Sequence, residues 1–265
     1  MERGGGNFVS HGPLFHSELR VPEPVPTYRS ATPTGLSKHS DKVRASRRAL
    51  PWVGGAVAGL VLGEIVLAAA GLGPIARHMG SHMVLMNVAA PLLASAVVAS
   101  GSGPSRVTSG YALTAATVLQ LVLLWGWHAP VALGAALETT AGHAVMQTTL
   151  LVSALWFWFA VFADRAALHW RALLALLVTG KLFCLLGVLL IFAPRLLYRE
   201  LAHSGHMAGS PLADQHLGGL LMVVVCPLTY VLAGIVISAL GLKQIASEQD
   251  ARLASQSSRK TLQAV

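Results

Sequence analysis

The fold is decided by one uncharged stretch, residues 78–99, which reads HMGSHMVLMNVAAPLLASAVVA. It contains no Asp, Glu, Lys or Arg. An α-helix rises about 1.5 Å per residue, so about 20 apolar residues are needed to cross the hydrocarbon core of a bilayer. A stretch of this length and composition therefore predicts a transmembrane helix.

Similar apolar runs lie on both sides of this stretch. Only 11% of the chain is charged, against about 25% in soluble domains, and the charges are concentrated between the runs. Backbone groups inside a bilayer can be satisfied only in helices or closed barrels. The sequence predicts an all-α polytopic transmembrane helix bundle with about six spans. The stretch at 78–99 is the second of these spans. The other five are 52–72, 109–128, 143–163, 169–192 and 215–240.

The composition divides the chain into three regions. Residues 1–50 are rich in Pro, Gly, Ser and charge, which predicts a disordered basic tail. Residues 51–242 form the predicted six-helix transmembrane domain. Residues 243–265 are polar and are predicted to be a second tail.

The distribution of Lys and Arg predicts the orientation. If the N-terminus is cytoplasmic, fifteen Lys and Arg residues lie inside and three outside. Cytoplasmic loops carry the excess of positive charge in membrane proteins, so both termini are predicted to be cytoplasmic. This rule also accounts for the net charge of +8. We therefore expect a multi-pass protein of a bacterial inner membrane, in contact with the lipid bilayer and not with nucleic acid.

Histidines gather on the predicted outer side of the bilayer. Seven of the eleven histidines lie at outer span ends or in outer loops. Polar residues at membrane depth are costly and are often functional. The seven are His78, His82, His128, His143, His203, His206 and His216.

The second span combines histidine with methionine on one face. At about 100° per residue, an arc of about 140° contains all five candidate ligands of this helix. Imidazole and thioether together favour copper, and thioether favours Cu(I) over hard cations. Ordinary packing is the alternative for any one of them alone. The five are His78, Met79, His82, Met83 and Met86.

Two neighbouring spans could complete a metal site. The third span ends in Trp127-His128-Ala129-Pro130, and His143 precedes Gln147 by one turn in the fourth. Asp214 precedes the sixth span, where it could cap the helix or bind metal.

The last outer loop and the start of the sixth span carry further donors. These candidates for secondary metal capture are His203, His206, Met207 and His216.

Two charges lie near the predicted midplane of the bilayer. Glu64 and Lys181 are each within about 3 Å of the midplane, counting about 1.5 Å per residue. Because a charge at this depth is expensive, we expect them to form an intramembrane polar pair. Cys184 and Cys226 also lie inside spans, as packing residues or, alternatively, as a thiolate relay for copper.

Four separated motifs resemble those of a known family. They are His78-Met79…His82-Met83…Ala90-Pro91-Leu92, then Trp127-His128-Ala129-Pro130, then His143…Phe157-Trp158, then Pro211-Leu212-Ala213-Asp214-Gln215…Gly218-Gly219…Met222. In this order they resemble the polytopic CtaG family of bacterial cytochrome c oxidase assembly factors, over about residues 55–240. The resemblance supports the site residues His78, His82, His128, His143 and Asp214. It implies a role in building haem-copper oxidase.

The residues and the resemblance together predict a membrane assembly factor, and not an enzyme. It would bind Cu(I) at the periplasmic side and deliver it to the cytochrome c oxidase subunit that holds a copper centre, with periplasmic copper chaperones as further partners. Two alternatives compete with this hypothesis. One is a b-type haem membrane oxidoreductase with histidine axial ligands, and the other is a copper permease.

Overall fold

The structure is a computed structural model that describes residues 35–101, 110–163, 170–202 and 210–263. Within these ranges the regular elements are helical. They are α1 (Gly35–Ala69), α2 (Pro74–Met83), a π-helix (Val84–Ala89), α3 (Ala90–Ser100), α4 (Gly110–Trp127), α5 (Pro130–Leu137), α6 (Thr140–Ala163), α7 (Trp170–Phe192), α8 (Arg199–Ala202) and α9 (Pro211–Gln263).

The described residues form a multi-pass helix bundle, as the sequence predicts. Five helices are long and apolar enough to cross a membrane, and a sixth crossing results if α4 and α5 count as one span. These two helices meet at 76°. Pro130 is the first residue of α5, and Ala129 before it is extended at ψ 130°. Because proline disfavours a helical residue before it, α4 ends here and the chain turns sharply.

Helix extends into both predicted tails. Residues 35–50 belong to α1 and not to a disordered segment. They contain no proline and many good helix formers, so local propensity supports the helix. Residues 1–34 lie outside the described residues. At the other end α9 runs without a break from Pro211 to Gln263, through the predicted boundary at 243.

The second span is one crossing built from α2, the π-helix and α3. In the π-helix register, the N–H of Ala90 donates to the carbonyl of Leu85. Pro91 follows and has no N–H, so it cannot donate to the next carbonyl, that of Met86. The indole Nε1 of Trp158 in α6 donates to that carbonyl at 2.9 Å. A side chain thus replaces the missing backbone donor and ties α6 to the second span.

Glycine lets α1 approach this span closely. A Cβ on Gly59 would lie 2.8 Å from a methyl of Val88, and a Cβ on Gly63 would lie 2.6 Å from a methyl of Val84. The two glycines are four residues apart on one face of α1, as in the small-residue motifs that join membrane helices. Only glycine therefore permits the observed contact between α1 and the π-helix.

The contact between α7 and α9 has the same basis. A Cβ on Gly187 would lie 2.8 Å from the carbonyl oxygen of Gly219, and a Cβ on Gly219 would lie 2.6 Å from that of Gly187. The two backbones are in contact. Helices in a membrane gain no hydrophobic free energy by associating, so close van der Waals packing of this kind holds α7 and α9 together. This contact sets the position of the start of α9 beside α2.

Candidate metal centre

The start of α2 is fixed by a carboxylate from α9. The N–H groups of Ile75 and Ala76 donate to the two oxygens of Asp214, at 2.8 Å and 3.3 Å. The negative charge also complements the positive end of the α2 dipole. Asp214 is therefore a cap for α2, which corrects its assignment as a cap for its own helix, since that helix begins at Pro211. That Asp214 binds metal stays a prediction. Glycine at position 73 leaves space for this carboxylate, because a Cβ there would lie only 2.5 Å from both oxygens of Asp214.

Gln215 holds the chain segment that follows α7. Its Oε1 accepts from the N–H of Leu197 at 2.7 Å, and its Nε2 donates to the carbonyls of Arg195 at 3.3 Å and Leu190 at 3.5 Å. Sequence reasoning gave this fully buried residue no role. In the sequence, only its place in the motif Asp214-Gln215 pointed to a role for this residue. Asp214 and Gln215 together align α2, α7 and α9. They do so at the end of the bundle that contains His78, His82, His128 and His143, the histidine end.

His78 and His82 are in direct contact inside the bundle. Their Nε2 atoms are 2.9 Å apart and their ring centroids 4.3 Å apart, with the rings nearly perpendicular. Both side chains are buried. Nδ1 of His82 has no hydrogen-bond partner, although Gln147 lies beside it with its own Oε1 unpaired. The helix places two ring nitrogens where they share either one proton or one cation.

His128 adds a third buried imidazole, from the end of α4. Its ring centroid is 5.6 Å from that of His82. Its Nδ1 lies 2.7 Å from the carbonyl oxygen of Leu124. Because a carbonyl only accepts, Nδ1 carries the proton, and in the neutral ring Nε2 has a lone pair. That Nε2 is buried and has no partner. Metal-binding histidines characteristically donate their other N–H in this way.

Tyr198 supports His128 from outside the spans. Its hydroxyl donates to the backbone carbonyl of His128 at 2.9 Å. Burial raises the pKa of Tyr198 to about 12, so the hydroxyl stays protonated and remains a donor at neutral pH. This contact anchors the sharp turn between α4 and α5, and sequence reasoning did not identify it.

His143 lies at the rim of the cluster. Its ring centroid is 6.2 Å from that of His78, and its Nε2 lies 3.3 Å from Nε2 of Gln147. Unlike the other three, its side chain is exposed. The four histidines predicted from three different spans therefore meet at one end of the bundle.

Two cavities flank the histidine pair. The outer cavity has a volume of about 510 Å³, and His78 and His143 lie in its wall together with Glu64, Arg77 and Gln147. The inner chamber has a volume of only about 10 Å³. His78 thus faces the outer cavity, and His82 faces the inner chamber. The inner chamber is lined by Met79, His82, Met83, Met86, Asn87, Leu124, His128, Phe183, Met222 and Cys226.

The predicted methionines all lie inside the bundle. Met79, Met83 and Met86 are buried and line the inner chamber. Among the residues that the structure describes, no three His, Cys, Asp or Glu side chains are grouped closely enough to form a metal site by themselves. That the methionines and the four histidines bind metal stays a prediction.

His216 is not part of this cluster. Nε2 of His216 lies 3.4 Å from the carbonyl oxygen of Ala193, between α7 and α9. His203, His206 and Met207 lie outside the described residues.

Glu64 and Lys181 do not form the predicted pair. Glu64 lines the outer cavity beside Arg77, whereas Lys181 lines a different cavity beside Cys184, between α7 and α9. Both side chains are exposed on the surface of the bundle. The prediction was wrong because it used depth in the bilayer alone, and depth does not determine which side of the bundle a residue faces.

Comparison with known proteins identifies the family. Residues 34–242, which are more than half of the chain, match the model of the cytochrome c oxidase caa3 assembly factor family. No curated protein and no solved structure matches the chain. The match covers the histidine cluster and the residues that support it, and it confirms the resemblance inferred from the four motifs. The chain therefore belongs to the cytochrome c oxidase caa3 assembly factor family.

Proposed function

We propose that this protein binds Cu(I) at the histidine end and delivers it to a copper-containing subunit of the oxidase that it helps to assemble. The observation that carries the proposal is the contact between His78 and His82, beside the unpartnered Nε2 of His128. A buried polar atom without a partner costs about 1–3 kcal/mol. A ligand that uses these lone pairs offsets that cost.

The geometry needs little adjustment to hold a metal ion. Two nitrogens about 2.0–2.1 Å from a tetrahedral metal are about 3.3 Å apart. The two Nε2 atoms are 2.9 Å apart, so small side-chain rotations would open the pair for an ion. His128 and the thioethers of α2 can supply further ligands. Histidine with thioether suits Cu(I) and does not suit Mg²⁺ or Ca²⁺.

The location supports exchange of the cargo. The outer cavity gives the histidine pair an opening at the bundle surface. The charge distribution supports a periplasmic position for this end, with both termini in the cytoplasm of a bacterial cell. An ion held there by neutral ligands can be passed to an oxidase subunit in the same membrane, or received from a periplasmic copper chaperone. The role is binding and transfer, without catalysis.

The test combines two measurements on the His78→Ala/His82→Ala double variant. Cu(I) affinity is measured by competition with a Cu(I) chelator on protein purified in detergent under reducing conditions. Oxidase assembly is measured as oxidase activity in cells that lack the native chain and express the variant. We expect a loss of Cu(I) affinity of at least 100-fold and loss of assembled oxidase that added copper partly restores.

His216→Ala is the matched control, because His216 lies near the same end but contacts the backbone carbonyl of Ala193, just after α7. It should retain affinity and assembly. If the double variant binds Cu(I) as the wild type does and still supports the oxidase, the proposal is wrong.

A further inference from the structure

The inner chamber contains soft donors besides the histidine pair, and two of them, Met222 and Cys226, are not part of the proposed function. Beyond His82 and His128, its wall includes Met86, Met222 and Cys226. They come from the π-helix and from α9, and all three are buried. Resting on the proposed function, we infer that these three sulfur atoms form a second, deeper position for Cu(I), to which the ion passes from the histidine pair.

The donor set fits a soft monovalent ion. Two thioethers and one thiol are ligands that select Cu(I). Asn87 Nδ2 donates to Cys226 Sγ at 3.5 Å, and an N–H donor of this kind stabilises a coordinating thiolate. When the ion binds, the S–H bond of Cys226 breaks, a Cu–S bond forms, and one proton is released to the buffer. Copper stays in the Cu(I) state.

The chamber also contains polar atoms without partners. Oδ1 of Asn87 and Nε2 of His128 make no hydrogen bond, and each side chain is only 4% exposed. Both residues line the chamber. Buried polar atoms are nearly always satisfied in folded proteins. Their presence beside three sulfur atoms indicates that the chamber accommodates a polar or charged species.

The size of the chamber limits what can enter. About 10–15 Å³ is needed to hold a single water molecule, and the chamber measures about 10 Å³. It is large enough for one ion and far too small for a porphyrin.

The contact between the two histidines connects the chamber to the surface. His78 lines the outer cavity and His82 lines the inner chamber. Because their Nε2 atoms are 2.9 Å apart, an ion held by both rings touches both compartments. It can then exchange its bond to His78 for one to Met86 or Met222 without a free intermediate.

The test uses full-length protein loaded with one equivalent of Cu(I) under reducing conditions. X-ray absorption at the copper edge reports the donor atoms, and chelator competition reports the affinity. We expect sulfur-dominated coordination in the wild type. Cys226→Ser and Met222→Leu should each lower the sulfur contribution and weaken affinity at least 10-fold, with nitrogen donors taking over. One proton should be released per ion in the wild type and none in Cys226→Ser.

Matched controls separate these effects from general damage. Cys184→Ser changes a cysteine that lines another cavity, and Met146→Leu changes a fully buried methionine outside the chamber. Both should leave coordination and affinity unchanged. Met222→Leu preserves side-chain volume, so it provides a folded variant if Cys226→Ser unfolds.

The outcomes distinguish the two proposals. Nitrogen-only coordination in the wild type, or unchanged spectra and affinity in both chamber variants, would overturn the deeper position while leaving the histidine site intact. A wild-type protein that binds no Cu(I) would overturn the proposed function itself.

Discussion

Asp214 and Gly73 offer a direct test of how the histidine helix is held. Asp214→Ala removes the acceptor for the N–H groups of Ile75 and Ala76, whose residues are both 0% exposed. Each buried N–H left unpaired costs about 1–3 kcal/mol, and loss of a helix cap costs about 0.5–2 kcal/mol. These effects overlap, because the cap is the pair of hydrogen bonds. We therefore expect the free energy of unfolding to fall by about 2–4 kcal/mol.

Gly73→Ala should be harmful only while the carboxylate is present. The added Cβ would lie 2.5 Å from both oxygens of Asp214, and overpacking of this kind costs about 1–3 kcal/mol. The backbone of Gly73 lies at φ −69° and ψ 168°, which any residue adopts. In the Asp214→Ala background the clash disappears, and a compatible Gly→Ala change stabilises by about 0.4–1 kcal/mol through the unfolded state.

The assay is a double-mutant cycle on detergent-solubilised protein unfolded by SDS and followed by circular dichroism. The cost of Gly73→Ala should differ between the two backgrounds by about 1.4–4 kcal/mol, from the overpacking and backbone effects combined. If Gly73→Ala costs the same in both backgrounds, the carboxylate is not what confines residue 73, and the assignment of Asp214 as the cap of α2 is wrong.

Three further substitutions test contacts around the site by the same unfolding assay. Trp158→Phe removes the donor to the π-helix carbonyl and should cost about 1–3 kcal/mol; no measurable loss would show that the carbonyl finds another partner. Gly219→Ala should cost about 1–3 kcal/mol, because its Cβ would meet the Gly187 carbonyl; a neutral result would contradict the close approach of α7 and α9. Tyr198→Phe should cost about 0.5–1.5 kcal/mol at neutral pH through the lost hydrogen bond to His128. Since the folded pKa of Tyr198, about 12, lies above the unfolded value, its contribution is present below about pH 10 and is lost as pH rises toward 12. The difference in stability between wild type and Tyr198→Phe should therefore shrink over that range, and a constant difference would contradict the assignment.

Patterns with a fixed period were predictable from the sequence. Span lengths followed from the apolar runs, and the buried face of the second span followed from the spacing of His78, His82 and Met86. That His128 and His143 lie at the same end of the bundle also followed from their predicted depth, but depth alone does not determine that they face His78 and His82. The helical period and the thickness of the bilayer core are the same for all membrane proteins of this kind. A single sequence is therefore enough to predict spans and helix faces.

Contacts between distant segments were not predictable in this way. Asp214 accepts a hydrogen bond from Ile75, which lies 139 residues earlier in the chain. Glu64 and Lys181 lie in separate cavities at similar predicted depth. Which helices are neighbours depends on where glycines such as Gly187 permit close approach. Hydropathy contains no information on that arrangement, and so the inner chamber with Met222 became visible only in the folded structure.

The π-helix makes the geometry of the histidine cluster depend on residue count as well as residue type. Removing one residue from Val84–Ala89 would favour ordinary α-helical winding, and α2 would rotate by about 100° relative to α3. The segment would remain long and apolar enough to cross the bilayer. His78 and His82, however, would turn away from His128.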